Sequence, residues 1–467
     1  MTKWGEITVE EIILPIRGEL ISGRRESLLT GLSTDSRDII PGQLFWALKG
    51  ERYDGHDYIQ NAVEKGASGI VIKKDYKPEI LPRSDCAVIT VTDTLKALGD
   101  LARWWRDKHS VRVAVITGSV GKSTTKEMTA GILGLRVKTL KNRGNLNNLV
   151  GLPLTIFQLT EKHHRAVLEM GMNQPGEIAR LTEIANPDVG LITNVARAHL
   201  EGVGSIRGVA KAKVELLEKI SSDGQVLLNG DDDLLMRAAL PFGRKITTYG
   251  LGSGNEIRAE NIRNLGREGV SFELRYYGNS IAIRLRIPGL QNVLNALAAS
   301  AIAISMKESP NDIVKGLNSF KGIHGRFMLV PLSDDVTLVD DTYNSNPSSL
   351  KAVIDSLKEL VAARGRVIVG LGEMLELGDE TLSAHREAGG MVADLGAYFF
   401  LAMGEHAREM IKGAVNRGFP PERARVVDTH QEMGQKIIEI MKKGDLILLK
   451  GSRRIGLERV SQILKGV

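Results

Sequence analysis

Val113 to Met128 reads VAVITGSVGKSTTKEM. An apolar, β-favouring run enters a glycine turn, and Lys122-Ser123-Thr124 opens a helical pattern. Strand, glycine turn and helix in that order describe a nucleotide phosphate-binding loop, because the turn's backbone N–H groups can approach phosphate oxygens and a helix N-terminus favours an anion. In this reading Thr117, Gly118, Ser119, Val120, Gly121, Lys122, Ser123 and Thr124 bind ATP. Lys122 offsets the charge of the β and γ phosphates, and the Ser123 hydroxyl is a ligand for magnesium. The spacing is GxxGKS rather than GxxxxGKS, since Ile116 stands where the longer form has its first glycine, so the general motif is imperfect.

Working outward, a chain of 467 residues exceeds what one hydrophobic core supports, and two or three domains are expected. Apolar residues make up 42% and charged residues 25%, values that exclude a disordered chain. The formal net charge is +6 without a long basic run or aromatic-basic interleaving, which points to small anionic ligands and away from nucleic acid. The single Cys86 excludes an internal disulfide and a cysteine-rich metal site. The opening MTKWGEITVEEI carries early acidic residues and no apolar signal core, and segments such as Ala296–Ile304 are too short to span a bilayer. A cytoplasmic protein is expected.

The pattern predicts an α/β chain of three domains. Residues 1–94 mix short strands with turn signals and form a small N-terminal recognition domain. A helix over Thr94–Lys108 connects it to a central domain, residues 95–324. There strands at Ala166–Met170, Val189–Asn194 and Val226–Asn229 alternate with helices after Pro175 and over Ser205–Ile220, which implies a mainly parallel sheet. From Glu256 to Ile287 polar and apolar residues alternate, predicting antiparallel strands appended to that sheet, before a helix over Asn292–Ile304. Residues 325–467 form a C-terminal, Rossmann-like α/β domain with strands at Thr337–Asp340, Arg366–Gly370, Tyr398–Ala402, Ala424–Val427 and Leu446–Lys450.

Several residues outside the loop suit its chemistry. Glu169 ends an apolar strand and His199 follows another, and strand ends beside a phosphate loop are where α/β folds place metal ligands and substrate groups. A lone histidine is by default a surface or satisfied core side chain, and Lys213, in a helix with apolar neighbours, is by default a solvated lysine. Asn142–Asn148, NRGNLNN, reads either as a plain polar loop or as one that places amides on a substrate.

TGSVGKSTTKE, GNLNN with GLPLT, LEMGMN, TNVARAHLEGVGS with AKAKVE, PGLQNVLNALAA, HGRF, VDDTYNSNPSSL, LGEMLELG and LLKGSR occur in the order seen in the ATP-dependent Mur ligases of peptidoglycan synthesis. The chain resembles that family over nearly its whole length. Within it, STDSR, LFWALKGERYDGHDY and DDTYNSNP resemble the branch that joins D-alanyl-D-alanine to a UDP-N-acetylmuramoyl-tripeptide, and the DNPR signature of the branch adding the third amino acid is absent.

The resemblance implies roles by position. Ser123 and Glu169 hold a first magnesium and His199 helps bind a second. Lys213 matches a lysine carried as a carbamate, an anionic oxygen ligand for the metal. Asn292 and Asn295 meet the adenine, while Arg326 and Asp341 close over the γ-phosphate and ribose. Together Lys122, His199, Lys213, Arg326 and Asp341 form the catalytic set. Ser33, Thr34, Asp35, Ser36 and Arg37 with Phe45, Ala47 and Lys49 match the pocket for the uridine diphosphate end of the sugar. Asn145, Asn147 and Asn148, and Tyr343, Asn344 and Asn346, are further substrate contacts, the last group at a strand-to-helix junction suited to the dipeptide. Three positions depart from the pattern: Leu149 replaces a usual Glu, Arg197 a common Pro, and Gln291 a common His.

The implied reaction is phosphorylation of the tripeptide carboxyl to an acyl phosphate, followed by attack of the dipeptide amine. Three separate ligands whose reacting atoms must meet without water imply domain closure, and a monomer suffices. A sister ligase adding a different amino acid and a phosphate-loop ATPase of another class are the alternatives; STDSR with DGHDY argues against the folylpolyglutamate and cyanophycin branches.

Overall fold

The computed structural model describes residues 4, 7–76, 85–361 and 365–466. Part of the opening segment read for a signal peptide, residues 1–3, 5 and 6, lies outside the described residues. No helix among the described residues is long and apolar enough to cross a membrane.

The α/β architecture is built on three main sheets. The first has five strands in the order Glu19–Ser22, Ala87–Val91, Gly69–Lys73, Leu44–Trp46, Leu32–Ser33. All its pairs are parallel except the one between Glu19–Ser22 and Ala87–Val91. Both faces are covered. Phe45 and Ala47 pack with Ile39, Ile70 and Ile72 on one face, and Leu44 and Trp46 face the cluster that runs on into the central domain. The helix Thr94–Asp107 carries that continuity: Ala97, Leu98, Leu101 and Trp105 bury one stripe, Asp93 caps its start, and the Trp46 indole N–H donates to the Thr94 carbonyl at 2.8 Å.

The central sheet has nine strands. Seven run parallel, from the edge strand Thr139–Lys141 through Arg165–Glu169, Arg112–Thr117, Val189–Ile192, Gln225–Asn229 and Ile246–Gly250 to Ile257–Asn264. Of the strands expected to be antiparallel over Glu256–Ile287, Ile257–Asn264 instead pairs parallel with Ile246–Gly250, and Val270–Tyr276 and Asn279–Leu285 complete the sheet through antiparallel pairs. After Arg112–Thr117 the chain fills one side of the sheet and then the other, so the strand order reverses beside that strand. In open α/β sheets this reversal opens a crevice at the carboxyl ends of the strands. Thr117, Glu169 and Ile192 stand at its rim.

The C-terminal sheet orders Met328–Pro331, Thr337–Asp341, Leu446–Lys450, Val367–Gly372, Phe399–Met403 and Ala424–Val426, with only the first pair antiparallel. Chain order skips one place after Thr337–Asp341, and the last strand, Leu446–Lys450, returns into it. The carboxyl ends of three strands therefore lie side by side facing the central domain. Arg326 reaches Ser123, Arg197 pairs with Glu387 at 2.7 Å, His199 with Glu376 at 2.6 Å, and the Ser356 hydroxyl donates to Gln291 at 2.6 Å. Two departures from the family pattern, Arg197 and Gln291, thus lie in the contact between domains. The third, Leu149, packs against the apolar cluster that the N-terminal and central domains share.

Candidate active site

The loop after Arg112–Thr117 has the geometry of a cradle. Gly118 and Gly121 have φ of +143° and +90°, and a Cβ on them would come within 1.8 Å of Thr193 Oγ1 and 2.3 Å of Asn295 Oδ1. Only glycine fits at these positions. The segment after Val189–Ile192 braces the loop: Asn194 accepts from Val120 N–H at 2.9 Å and donates back to the Val120 carbonyl at 3.0 Å, and Thr193 Oγ1 donates to the same carbonyl at 2.7 Å. Ser119 Oγ accepts from Ala196 N–H at 2.9 Å. Lys122, the first residue of the helix Lys122–Leu133, donates to the Gly118 carbonyl at 2.7 Å, curled over the loop. Burial holds its amine below the ordinary lysine range, opposed by the nearby Glu169 carboxylate. The Thr117 hydroxyl is buried, and Thr124 is half-buried on the first helical turn.

Glu169 is 3% exposed, and its fixing begins in the loop NRGNLNN. Asn142, fully buried, accepts from Glu169 N–H and donates to the Glu169 and Leu146 carbonyls, each at 2.9 Å. Asn147 donates to Glu169 Oε1 at 2.9 Å; Oε2 has no hydrogen-bond partner among the described residues, with Lys126 Nζ at 3.8 Å. Lys126, itself buried, donates to the Asn142 carbonyl at 2.9 Å. A buried carboxylate oxygen without a donor, aimed beside a phosphate cradle, suits a bound cation. Asn145 is exposed, and Asn148 Oδ1 accepts from Gly151 N–H at 2.8 Å, at the start of the short helix Gly151–Ile156.

His199 adopts φ +57° at the start of the short helix Leu200–Val203. Its proximity holds the Glu376 carboxyl below the usual range. Lys213 is not a solvated lysine: on the helix Ile206–Lys219 it is 1% exposed and forms no ion pair among the described residues. Burial and the Lys122 charge push its amine well below the ordinary lysine range, so the neutral form is favoured.

On the nucleotide side, Asn292 donates to the Pro288 carbonyl at 2.7 Å and Asn295 lies against Gly121. From the C-terminal domain, Arg326 donates to Ser123 Oγ at 3.1 Å and stacks over Tyr343, 4.0 Å from the ring centre. Asp341 already has partners for both oxygens, Phe327 N–H at 2.9 Å and the buried Lys450 at 2.5 Å, so it braces the domain's strand ends. Lys450 also donates to the Asn344 carbonyl at 3.0 Å, and burial lowers its pKa against the pull of Asp341. Asn346 caps the helix Pro347–Val361: it accepts from Ser349 N–H at 2.8 Å, and its own N–H donates to Ser349 Oγ at 3.0 Å. Asn344 Oδ1 accepts from Ser345 N–H at 2.9 Å.

In the N-terminal domain STDSR forms a tight turn. Ser33 Oγ accepts from Asp35 N–H at 3.1 Å, and Asp35 takes a two-pronged contact from Arg37 that holds its carboxyl down to about 2. Ser36 is buried, Thr34 half-buried, and Arg37 and Lys49 are exposed. Phe45 and Ala47 are core, 1% and 0% exposed, because period-2 alternation sends both into the apolar cluster with Ile70 and Ile72. Both side chains are thus part of the domain's core.

Sequence reasoning gave no individual role to Asn142, Lys126, Thr193, Asn194, Glu376 and Lys450. Lys450 lies in LLKGSR, a stretch singled out, and an apolar strand ending in lysine was a usable signal. The others act through burial or a distant partner.

These features together define an enzyme site for a nucleoside triphosphate with a cation: a phosphate cradle, a cation-ready carboxylate, and a second domain delivering an arginine. Family models for the Mur ligase family, catalytic domain, match residues 28–106; for the Mur ligase middle domain, 116–303; and for the Mur ligase, glutamate ligase domain, 325–453. The UDP-N-acetylmuramoyl-tripeptide--D-alanyl-D-alanine ligase of Bacillus subtilis is 35% identical over 97% of both chains. MurF from Acinetobacter baumannii superposes with a TM-score of 0.89 at 30% identity, covering 100% of both chains. The MurF ligase from Thermotoga maritima in complex with ADP superposes at 0.81 and 25% identity, over 93% of this chain and 97% of that one. The chain belongs to the Mur ligase family.

Proposed function

We infer that this chain joins D-alanyl-D-alanine to UDP-N-acetylmuramoyl-tripeptide with conversion of ATP to ADP and phosphate, yielding the pentapeptide precursor of peptidoglycan. The observation that carries this is the Arg326–Ser123 contact, which sets the C-terminal domain against the phosphate cradle. The names of the full-length relatives support the choice of substrates. On this reading residues 1–94 bind the nucleotide-sugar, 95–324 bind ATP and 325–467 bind the dipeptide, and a monomer acts in the cytoplasm.

A carboxylate is a poor acyl donor until one oxygen becomes a phosphate. The loop N–H groups and Lys122 hold the γ-phosphoryl group in line with the tripeptide carboxylate, and Arg326 adds charge as it transfers. ADP departs; the dipeptide's neutral amine attacks the acyl carbon, loses a proton, and phosphate leaves with the bonding pair of the C–O bond. Ser123, Glu169, His199 and Lys213 would hold magnesium, a fit supported by the unpartnered Glu169 Oε2. Bound there, the metal offsets the phosphoryl charge. Burial favours the neutral Lys213 amine, the form that adds carbon dioxide to give an anionic carbamate ligand.

The test is a competition of D-alanyl-D-alanine with D-alanine, L-lysine and D-glutamate at equal concentration, with UDP-N-acetylmuramoyl-tripeptide and Mg-ATP. The dipeptide should be consumed first. Preferential consumption of one amino acid would move the chain to a sister ligase.

A further inference from the structure

We propose that Arg453 binds the carboxylate of the incoming dipeptide and so measures acceptor length, an assignment that rests on the ligase reading above. The acceptor must present its amine at the acyl phosphate, beside Ser123 and Arg326. Its carboxylate then lies up to about 7 Å farther along an extended two-residue chain. Arg326, bonded to Ser123, lies 4.0 Å from the centre of the Tyr343 ring, and Arg453 lies 5.4 Å from the same ring, so a second guanidinium shares the ring with the one at the phosphate loop.

The root of Arg453 is held firmly. Ser452, 3% exposed, donates its N–H to the Glu373 carbonyl at 3.0 Å and accepts from Leu375 N–H at 2.9 Å. A Cβ on Gly451 would fall 3.0 Å from Gly372 Cα, so the two strand ends touch with no side chain between them. The head of Arg453 is available: the side chain is 61% exposed, and its one ion pair among the described residues is a 3.5 Å contact to Glu458. Four neighbouring polar groups are committed. Asn346 and Ser349 cap each other's helix start, the Asn344 oxygen is bonded to Ser345, and Lys450 is buried against Asp341. A planar guanidinium on a fixed root is the group suited to a carboxylate. A single amino acid would leave its carboxylate one residue short of it.

The test compares D-alanyl-D-alanine with D-alanyl-D-alaninamide, which lacks the charge, on the full-length protein and on Arg453→Gln. The parent should lose about 10- to 100-fold in kcat/KM on the amide. Arg453→Gln should lose the same factor on the dipeptide, lose little more on the amide, and keep its KM for ATP and for the UDP-tripeptide within about twofold; Arg453→Lys should restore part of the discrimination. A variant that still discriminates against the amide, or whose KM for ATP moves instead, overturns the assignment while leaving the ligase reading intact. No dipeptide turnover by the parent overturns both.

Discussion

Replacing Asn142 by Ala should damage the fold and the metal site together. The side chain is fully buried, donates to the Leu146 and Glu169 carbonyls, and accepts from Glu169 N–H, all at 2.9 Å. Alanine removes three hydrogen bonds and leaves two carbonyls and one N–H buried without partners. At roughly 1 to 2 kcal/mol each, the loss is about 3 to 6 kcal/mol. That is a large share of the roughly 5 to 15 kcal/mol that holds a domain folded. For a unit of the central domain's size it corresponds to a fall in Tm of roughly 10 °C. Glu169 loses its backbone anchor in the same step, so the magnesium concentration giving half-maximal rate should rise by about 10- to 100-fold. Asn142→Asp, which keeps one acceptor but turns a carboxylate oxygen toward two carbonyls, should be no better. Calorimetry and a magnesium titration of turnover measure both effects. A variant with unchanged Tm and unchanged magnesium requirement would refute the role of this loop.

Lys213→Ala should abolish turnover at saturating magnesium, and carbon-13-labelled bicarbonate should give a carbamate resonance in the parent that this variant lacks; equal activity with bicarbonate present would count against the carbamate. A double-mutant cycle on Arg197→Ala and Glu387→Ala, half-exposed partners 2.7 Å apart across the domain contact, should return a coupling of about 0.5 to 1 kcal/mol, and zero coupling would show that the pair holds nothing. The Asp35 carboxyl, held at about 2 by Arg37, contributes stability that is complete above the ordinary aspartate range and fades as pH falls toward 2. Arg37→Ala should raise its NMR titration midpoint toward the usual 3.8; an unmoved midpoint would contradict the pairing.

Much of this was legible because it is local. The phosphate loop, its strand and its helix are consecutive, and the strands of the C-terminal domain are apolar runs between helical stretches. Thr139–Lys141 and Ile246–Gly250 escaped because their sequences, TLK and ITTYG, show no apolar alternation; the sheet accepts them through ladders to neighbours far along the chain. Lys213 was read by default as solvated because burial is a property of the packed helix, not of the AKAK stretch. The burial of Phe45 and Ala47 was not legible, since a motif match does not say which face of a strand meets solvent, and here both faces are covered. Asn142 sits in a stretch that reads either as a plain polar loop or as one that places amides on a substrate, yet it bonds to Glu169, 27 residues on, at the end of the neighbouring strand. Asn346, expected as a substrate contact, also caps a helix, a role set by its hydrogen bonds with Ser349.

The central claim is that ATP activates the tripeptide's terminal carboxyl as an acyl phosphate within the cradle of Gly118–Thr124. Tripeptide labelled with oxygen-18 in that carboxylate, turned over once with D-alanyl-D-alanine, tests it directly. One labelled oxygen should appear in the released phosphate, read by the phosphorus-31 isotope shift. Phosphate free of label, with pentapeptide formed, would contradict the account.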